Sequence, residues 1–317
     1  MLKDLKTLFD ERFQGGRKFE DFLACRSADH VKKNARGAVR SYVADDELRG
    51  FQLFLSSVVV DYLRIESEAV FSYRKGKNIA DAVRGHANSK FFFKTDLRQF
   101  FSSIDEKLVE ITIRESFEFL PFCDAEHYLS QIVQLLTHQG YLPPGFATSP
   151  GISNACLYKL DKRLRNEAEK RNLIYTRYSD DIIFSGGESK QVGAAPFLID
   201  AALYDLYGGQ FYVNLAKSKF LRKGAKVRLL GLLVLPNGHV TLDRKAKNNI
   251  ETLLHFYATD GLRFLQMANA NLEKGALKLS GHLNYIQSID PAYIEKLKKK
   301  YGETTVDSLK KLLTAGF

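Results

Sequence analysis

The fold is decided by a stretch that runs Leu173-Ile174-Tyr175-Thr176-Arg177-Tyr178-Ser179-Asp180-Asp181-Ile182-Ile183-Phe184-Ser185-Gly186. Residues that favour β-strands stand on both sides of Asp180 and Asp181, which predicts two strands joined by a tight turn. Neighbouring residues of a strand point to opposite faces, so two adjacent carboxylates can reach the same region of space only from a turn. Two like charges held close together repel unless a cation lies between them, which favours a divalent metal. Taken alone, the stretch favours the simpler interpretation, a solvated acidic turn.

Length and composition limit the class of protein. The chain has 317 residues, 45% hydrophobic and 26% charged, as is typical of a soluble globular protein with a substantial core. The longest apolar stretch, residues 51–63, is too short and too polar to span a membrane, and the charged start lacks the apolar segment of a secretory signal. Cys25, Cys123 and Cys156 are too scattered for a zinc site or a disulfide framework. We therefore expect a protein of the reducing cytoplasm with no membrane partner.

The net charge of +10 is concentrated in two windows. Residues 71–100 contain seven basic and two acidic side chains, and residues 214–228 contain six basic side chains and no acidic one. Aromatic residues such as Phe71, Tyr73 and Phe220 lie in or beside these windows. Clustered basic residues with aromatic neighbours favour nucleic acid as the partner, although two solvated basic faces are the simpler alternative.

Hydrophobic spacing and turn residues predict the other elements around the acidic turn. We expect a helix that begins after Asp45 or Asp46, a buried strand over 90–96 and helices up to about 139. Further along the chain we expect a helix over about 153–171, a helix near 189–207, a strand ending near Asn214, short strands around 229–235 with a turn at 236–238, and three or four helices after 244, one of them capped by Asp290 and Pro291.

Asp96 favours a functional role for the acidic turn over a solvated surface turn. It ends the strongly hydrophobic strand Lys90-Phe91-Phe92-Phe93-Lys94-Thr95-Asp96, where a charge is costly unless it is ligated or solvated. A strand-end aspartate together with a turn-borne aspartate pair suits two-metal phosphoryl transfer, in which the ions lie ~4 Å apart. Three carboxylates can hold both ions and leave coordination positions open for substrate phosphates.

Five segments resemble the ordered motifs of reverse transcriptases. The stretch from Asp96 to Ile104 resembles motif A, and Leu142 to Pro150 resembles motif B. Tyr178-Ser179-Asp180-Asp181 resembles motif C, Asn214-Leu215-Ala216-Lys217 motif D, and Leu229-Leu230-Gly231-Leu232 motif E, the primer grip. Five motifs in the family's order, within about residues 35–300, are far more specific than any one of them.

Within that family the chain is most similar to bacterial retron reverse transcriptases. Ile174 to Tyr178 before the carboxylates, Leu230-Gly231 before an apolar strand and the compact helical C-terminus carry this resemblance. Ser179 stands where the retron motif usually has alanine, and Pro144 stands where motif B usually has glutamine. The resemblance implies RNA-directed DNA polymerase activity on a cognate noncoding RNA, with a branched RNA–DNA product (msDNA) and a role in antiphage defence beside a separate effector protein.

The resemblance also implies roles for the site residues. Asp96 and Asp180 are expected to ligate two Mg²⁺ ions, with Mn²⁺ as an alternative, and Asp181 is expected to assist. The backbone carbonyl of Leu97 is a further expected ligand. Lys217 is expected to donate to the leaving pyrophosphate or to contact a phosphate.

Four residues are expected to bind the incoming deoxynucleotide: Arg40, Leu97, Phe101 and Gly145. Phe101 stands where the family places the steric gate that rejects a 2′-hydroxyl, unless it packs in the core beside Phe100. Gly145 is expected to let the backbone approach nucleotide and template, unless it serves only a turn. Arg40 is expected to contact the triphosphate, with a plain surface arginine as the alternative.

A further set is expected to contact nucleic acid: Arg74, Lys75, Lys77, His86, Lys219, Arg222, Lys223 and Gly231. For His86 a structural role is the more common alternative.

The expected fold is α+β, a right-hand polymerase. Residues 1–95 form fingers and N-terminal helices with the first palm strand. Residues 96–235 form a palm whose antiparallel sheet carries the aspartates, with a helical segment over 105–140. Residues 236–317 form a small helical thumb.

Three alternatives stay open from the sequence. The chain is a defence reverse transcriptase with another template or priming mode, a catalytically inactive RNA-binding scaffold, or an RNA-templated RNA polymerase. The intact Asp96, Asp180 and Asp181 argue against the scaffold, and Phe101 argues against ribonucleotide substrates.

Overall fold

The structure, a computed structural model, describes residues 2–34, 41–224 and 226–312. The chain divides into two compact units: Met1–Lys77 with Phe91–Phe220, and Asn78–Lys90 with Leu221–Phe317. The predicted subdomain bounds are a different division and stay predictions. Among the described residues, no helix is both long and apolar enough to cross a membrane.

The first unit is built from helices around an antiparallel sheet. In chain order its elements are α1 Leu5–Phe13, α2 Phe19–Ala24, β1 Val31–Asn34, β2 Ser41–Ala44, α3 Asp46–Val58, β3 Phe91–Asp96, α5 Glu106–Arg114, α6 Ala125–Leu136, α7 Ser149–Cys156, α8 Tyr158–Glu169, β4 Ile174–Tyr178, β5 Asp181–Gly186, α9 Ser189–Gly193, α10 Ala195–Tyr207 and the start of β6 Lys219–Arg222; α4 Ile79–Arg84 belongs to the second unit.

The main sheet has the strand order β4-β5-β3-β6, with β3 and β4 both antiparallel to β5. Phe92 and Phe93 on the interior strand β3 are 0% and 2% exposed, because the strand is covered on both faces. Helix α8 packs against β4, and α9 packs against β3 and β5. Buried apolar side chains thereby fix the end of the sheet at which β3 finishes and β5 starts.

Phenylalanines form the core beneath the N-terminal helices. Phe9, Phe22, Phe51 and Phe54 are each at most 1% exposed, and the rings of Phe9 and Phe54 meet edge to face at 5.3 Å. Each such burial contributes roughly 2 kcal/mol, which secures α1, α2 and α3 to one another.

The second unit combines a small antiparallel sheet with helices. Its further elements are β7 Val227–Leu229, β8 Leu232–Val234, β9 Val240–Thr241, α11 Arg244–Thr259, α12 Gly261–Ala268, α13 Leu272–Ile289, α14 Pro291–Tyr301 and α15 Glu303–Lys311. The sheet order is β7-β8-β9, and α4 packs against β8 and β9. Up to residue 312, the last described one, five helices follow Asp243 rather than the three or four predicted.

Several predicted elements are confirmed. The strand before Asp96, the two strands around the acidic turn and the pair near 229–235 are all present. Asp45 caps α3 by accepting a hydrogen bond from the Leu48 amide at 3.0 Å, and Asp290 caps α14 ahead of Pro291.

Three predicted elements are wrong in detail. The helix over 153–171 is two helices that break at Leu157, and the hydroxyl of Tyr207 donates to the carbonyl of Cys156 at this break. The helix near 189–207 is divided before Pro196, which lacks the amide needed to continue it. The strand ending near Asn214 is a single bridge between Val213 and Leu97, because the chain turns immediately afterwards.

Candidate active site

Three aspartates lie at one end of the sheet formed by β3, β4 and β5. Asp96 ends β3 and lies directly opposite Asp181, the first residue of β5. Asp180 occupies the turn between β4 and β5, and its carbonyl accepts a hydrogen bond from the Leu97 amide at 3.0 Å. The structure therefore brings these predicted site residues together, while their catalytic role stays a prediction.

Asp96 is the buried member of this set, at 5% exposure. Its Oδ2 lies 2.5 Å from the ammonium of Lys217, whereas its Oδ1 has no hydrogen-bond partner among the described residues. The contact with Asp96 raises the pKa of Lys217, whose side chain is otherwise 69% exposed. A buried carboxylate oxygen without a partner is costly, so Oδ1 is a natural ligand for a cation.

The pKa of Asp181 reflects the negative charge at this end of the sheet. Its carboxyl is still open to solvent at one side, but partial burial, followed by the charges of Asp180 and Asp96, raises its pKa to about 6. Lys217 and Lys94 oppose this shift. Carboxylates that raise one another's pKa are stabilised in their charged form by a divalent cation.

The donor set fits a magnesium site in its chemistry. Carboxylate oxygens are the ligands that Mg²⁺ prefers, and Oδ1 of Asp96 is unsatisfied. Within the described ranges, however, no three His, Cys, Asp or Glu side chains are already gathered as a metal-binding group. The cation at Asp96 in this structure is the Lys217 ammonium, which must move aside from Oδ2 for that atom to serve as a metal ligand.

The acidic turn rests on a buried ion pair that sequence reasoning missed. Arg177 on β4 donates from Nε to Oδ1 of Asp161 at 2.8 Å and from Nη2 to Oδ2 at 2.7 Å. Both side chains are 0% exposed. Nη1 of Arg177 also donates to the carbonyl of Ser179 at 2.8 Å, which joins this pair to the turn.

A pattern in the sequence could have revealed Asp161. Leu157, Leu160, Leu164 and Ala168 form the buried face of α8 and the residue before it, and Asp161 falls on that face by helical spacing. A charged residue on an apolar face must be paired, since burying it alone is very costly.

The predicted nucleotide-binding residues have clear surroundings. Leu97 is 2% exposed, and Phe101 packs partly buried against the core with its ring 5.3 Å from that of Phe100, which is the buried member of the two. Gly145 has φ +110°, and a Cβ there would lie 2.2 Å from the carbonyl oxygen of Tyr42. In this structure the backbone of Gly145 therefore lies close to the backbone of Tyr42 in the same chain. Arg40 lies outside the described residues.

The predicted nucleic-acid residues of the first unit differ in availability. Lys75, Lys77 and Lys219 are exposed. Arg74 is half-buried and donates to the carbonyls of Ser67 and Val70, so its guanidinium is partly committed to its own chain.

In the second unit, His86 needs a correction. Its ring is 0% exposed and burial lowers its pKa to about 3, so in this structure it has no surface with which to contact RNA. Lys223 donates to the carbonyl of Ala87 at 2.7 Å, whereas Arg222 is exposed. Gly231 lies in the turn between β7 and β8 with φ +82°.

Known proteins resemble this chain along most of its length. A family profile described as "Reverse transcriptase (RNA-dependent DNA polymerase)" matches residues 31–234. The chain is 31% identical over 287 residues to the Retron Ec73 reverse transcriptase of Escherichia coli, covering 86% of this chain and 85% of that protein. It is 28% identical over 327 residues to the Retron Ec83 reverse transcriptase of the same organism, covering 99% of both. Among solved structures, a telomerase from Candida albicans aligns with a TM-score of 0.48 and 12% identity, over 90% of this chain and 62% of that one.

The profile and the sheet that carries the aspartates define the class of protein, an RNA-directed DNA polymerase. The chain belongs to the reverse transcriptase family, in its retron branch. The predicted α+β polymerase fold, the predicted enzyme class and the predicted retron membership are confirmed.

Proposed function

We propose that this reverse transcriptase copies part of a cognate noncoding RNA into single-stranded DNA, with the RNA serving as both template and primer. A 2′-hydroxyl of the RNA primes synthesis, so the product is a branched RNA–DNA molecule, msDNA. Membership in the retron branch supports the choice of template. The chemistry rests on one observation, the pairing of Asp96 with Asp181 at the sheet edge beside Asp180.

In this proposal the aspartates hold two Mg²⁺ ions, or Mn²⁺ in their place. Asp96 and Asp180 ligate both ions, Asp181 assists, and the Leu97 carbonyl adds a ligand. Bound divalent ions promote attack by the primer hydroxyl and neutralise the leaving pyrophosphate. The unpartnered Oδ1 of Asp96 and the raised pKa of Asp181 support this assignment.

Lys217 serves the leaving group. Its long exposed side chain reaches the aspartate edge, as its contact with Asp96 demonstrates. An ammonium that can reach Asp96 is also able to approach phosphates bound at that edge. There it donates a hydrogen bond or a proton to pyrophosphate.

Nucleotide selection falls to a second group of residues. Phe101 excludes a 2′-hydroxyl by its bulk, and its partial exposure beside the buried Phe100 supports this role. Gly145 shapes the approach to nucleotide and template, and Arg40 binds the triphosphate.

The remaining proposed contacts bind the RNA and the DNA product along their phosphate backbones, where basic side chains release counterions. They are Arg74, Lys75, Lys77, Lys219, Arg222, Lys223 and Gly231. The exposure of Lys75, Lys77, Lys219 and Arg222 supports their inclusion. We further propose that the complex acts in antiphage defence in the bacterial cytoplasm, with a separate effector protein.

The proposal is tested by purifying the protein from its native host and sequencing the nucleic acid that copurifies. We expect one RNA species covalently joined to single-stranded DNA through a 2′–5′ branch, so that a debranching enzyme separates the two. Copurified RNA without a branched DNA, together with extension of unrelated primer–templates in vitro, would instead indicate a different priming mode.

A further inference from the structure

Beneath the acidic turn lies a continuous buried network that we name the turn clamp. It comprises Ser72, Asn154, Asp161 and Arg177, all at most 1% exposed. These residues come from three separate parts of the first unit: the segment before Tyr73, the helices α7 and α8, and strand β4. The network converges on Ser179, the residue directly before Asp180.

The charged half of the clamp is fully satisfied. Asp161 accepts two hydrogen bonds from Arg177 and a third from the hydroxyl of Tyr175 at 2.6 Å. A planar guanidinium that is forked onto a carboxylate has little orientational freedom. The remaining nitrogen, Nη1, is therefore aimed in a fixed direction, toward the Ser179 carbonyl.

The polar half of the clamp holds the other side of the same residue. The Ser179 amide donates to Oγ of Ser72 at 2.8 Å. Oγ of Ser72 in turn donates to Oδ1 of Asn154 at 3.3 Å, and Nδ2 of Asn154 donates to the Ser72 carbonyl at 2.8 Å. The Ser72 hydroxyl thus uses both its donor and its acceptor capacity inside the network.

Ser179 itself adopts a conformation that needs such support. Its φ is +59°, in the left-handed region, which is sterically unfavourable for a residue with a side chain. Such a conformation persists where the surroundings determine it, and here both backbone polar groups of the residue are bound from opposite sides. The Ser179 carbonyl belongs to the peptide bond that leads into Asp180, so its direction sets the direction in which Asp180 leaves the turn.

A purely stabilising role explains the clamp poorly. Buried ion pairs contribute little net stability compared with well-packed apolar side chains, because desolvation offsets their attraction. What a fully bonded polar network supplies is a unique geometry. At the open end, the hydroxyl of the exposed Tyr73, itself at φ +55°, lies 3.2 Å from Oγ of Ser179.

We propose that Ser72, Asn154, Asp161 and Arg177 are positioning residues for nucleotidyl transfer, which fix the backbone of Ser179 so that Asp180 is presented to the reaction in one orientation. This inference rests on the proposed catalytic role of Asp180. The clamp touches neither template nor nucleotide in this assignment, so it governs the rate of the chemical step and the use of Mg²⁺ rather than substrate binding.

The test is Ser72→Ala, which removes a single buried hydroxyl and leaves the ion pair intact. We expect kcat for primer extension to fall about ten-fold, the factor that corresponds to the one hydrogen bond lost from the support of Ser179, with KM for deoxynucleotide unchanged. The Mg²⁺ concentration for half-maximal rate should rise. The matched control is Ser116→Ala: Ser116 is 1% exposed and donates to the Thr112 carbonyl at 3.0 Å, far along the chain from the turn. It should show a similar change in Tm with unchanged kcat.

Equal kcat in the two variants overturns the inference, and so does a Ser72→Ala defect confined to KM. If Ser72→Ala does not fold, Tyr73→Phe gives the answer from the exposed end: a fall in kcat at constant KM supports the clamp, and an unchanged kcat contradicts it. An Asp180→Asn, Asp181→Asn variant measured in parallel separates the two proposals. If that variant is active, the proposed catalytic role fails; if it is inactive while Ser72→Ala behaves as wild type, only the clamp fails.

Discussion

Two hairpins in this molecule have turns of the same length but are held in different ways. The β4–β5 turn lies between the paired residues Tyr178 and Asp181, and the β7–β8 turn lies between Leu229 and Leu232. Both turns contain backbone with positive φ. In the first it is a residue with a side chain, Ser179 at +59°; in the second both turn residues are positive and the second of them is glycine.

The difference shows what each hairpin requires from the rest of its unit. Positive φ at both central residues is the geometry that matches the twist of a two-residue hairpin, so Leu230-Gly231 makes a turn from local chemistry. In the acidic turn, the Ser179 amide donates to Ser72, which lies 107 residues earlier in the chain. The Ser179 carbonyl accepts from Arg177, a near neighbour in sequence whose guanidinium is fixed by Asp161 on helix α8. The acidic turn is thus held by tertiary contacts, and the loss of these contacts should have larger consequences than a change in the β7–β8 turn.

The largest effect is expected from a substitution that removes the buried support of the β4–β5 hairpin. Arg177→Met leaves Asp161 buried without its partner, and we expect the free energy of unfolding to fall by about 3–5 kcal/mol. Urea denaturation followed by circular dichroism measures this loss.

The control for that variant is the double substitution Asp161→Leu, Arg177→Met. It removes both charges and should recover part of the lost stability, because no unpaired charge stays buried. If the single and double variants unfold at the same urea concentration, the charge of Asp161 is not the cause of the loss.

The next largest effect is expected in the pH dependence of stability, and it arises from His86 in the second unit, which also contains the β7–β8 hairpin. The pKa of buried His86 is lowered to about 3, so below pH ~6.5 the unfolded chain takes up a proton that the folded chain refuses. Stability should therefore fall as the pH drops, by about 2 kcal/mol between pH 8 and pH 5 from this residue. His86→Gln should flatten the profile in that range. A profile with the same slope in His86→Gln would contradict this assignment.

The smallest expected effect breaks the second hairpin locally. Gly231→Ala places a side chain at φ +82°, with no atom nearby for a clash, and should cost about 1 kcal/mol of stability through backbone strain alone. Gly224→Ala is the matched control, since Gly224 also has open space but no positive φ. Thermal unfolding should show a lower Tm for the first variant only; equal values would mean that the turn relaxes without strain.

The same contrast separates what the sequence could predict from what it could not. Strand β3 ending at Asp96, the strands around the acidic turn and the Asp45 cap depend on neighbours in the chain, and each was predicted. The pair of Asp161 and Arg177 joins a helix to a strand, and nothing local tells a buried charge from the solvated ones around it except its place on an apolar face.

Other departures have similar causes. The predicted strand ending near Asn214 forms only one bridge, between Val213 and Leu97. Strand pairing depends on the path of the neighbouring segment and not on β-propensity alone. His86 lies in a strongly basic window, yet burial decides its chemistry. The placement of Asp96, Asp180 and Asp181 at one end of the sheet was predictable, because the motifs that contain them occur in the family's order. The ion pair between Lys217 and Asp96 was not predictable from the sequence.

The most direct test of catalysis at this sheet edge is a primer-extension assay of Asp180→Asn, Asp181→Asn with Mg²⁺ and the copurified RNA. Both substitutions keep the size of the side chains and remove the charges that a divalent ion requires. We expect extension to fall below detection, by at least about 1,000-fold, while Tm stays close to that of the wild type. Extension at the wild-type rate would contradict the assignment of this edge as the polymerase active site.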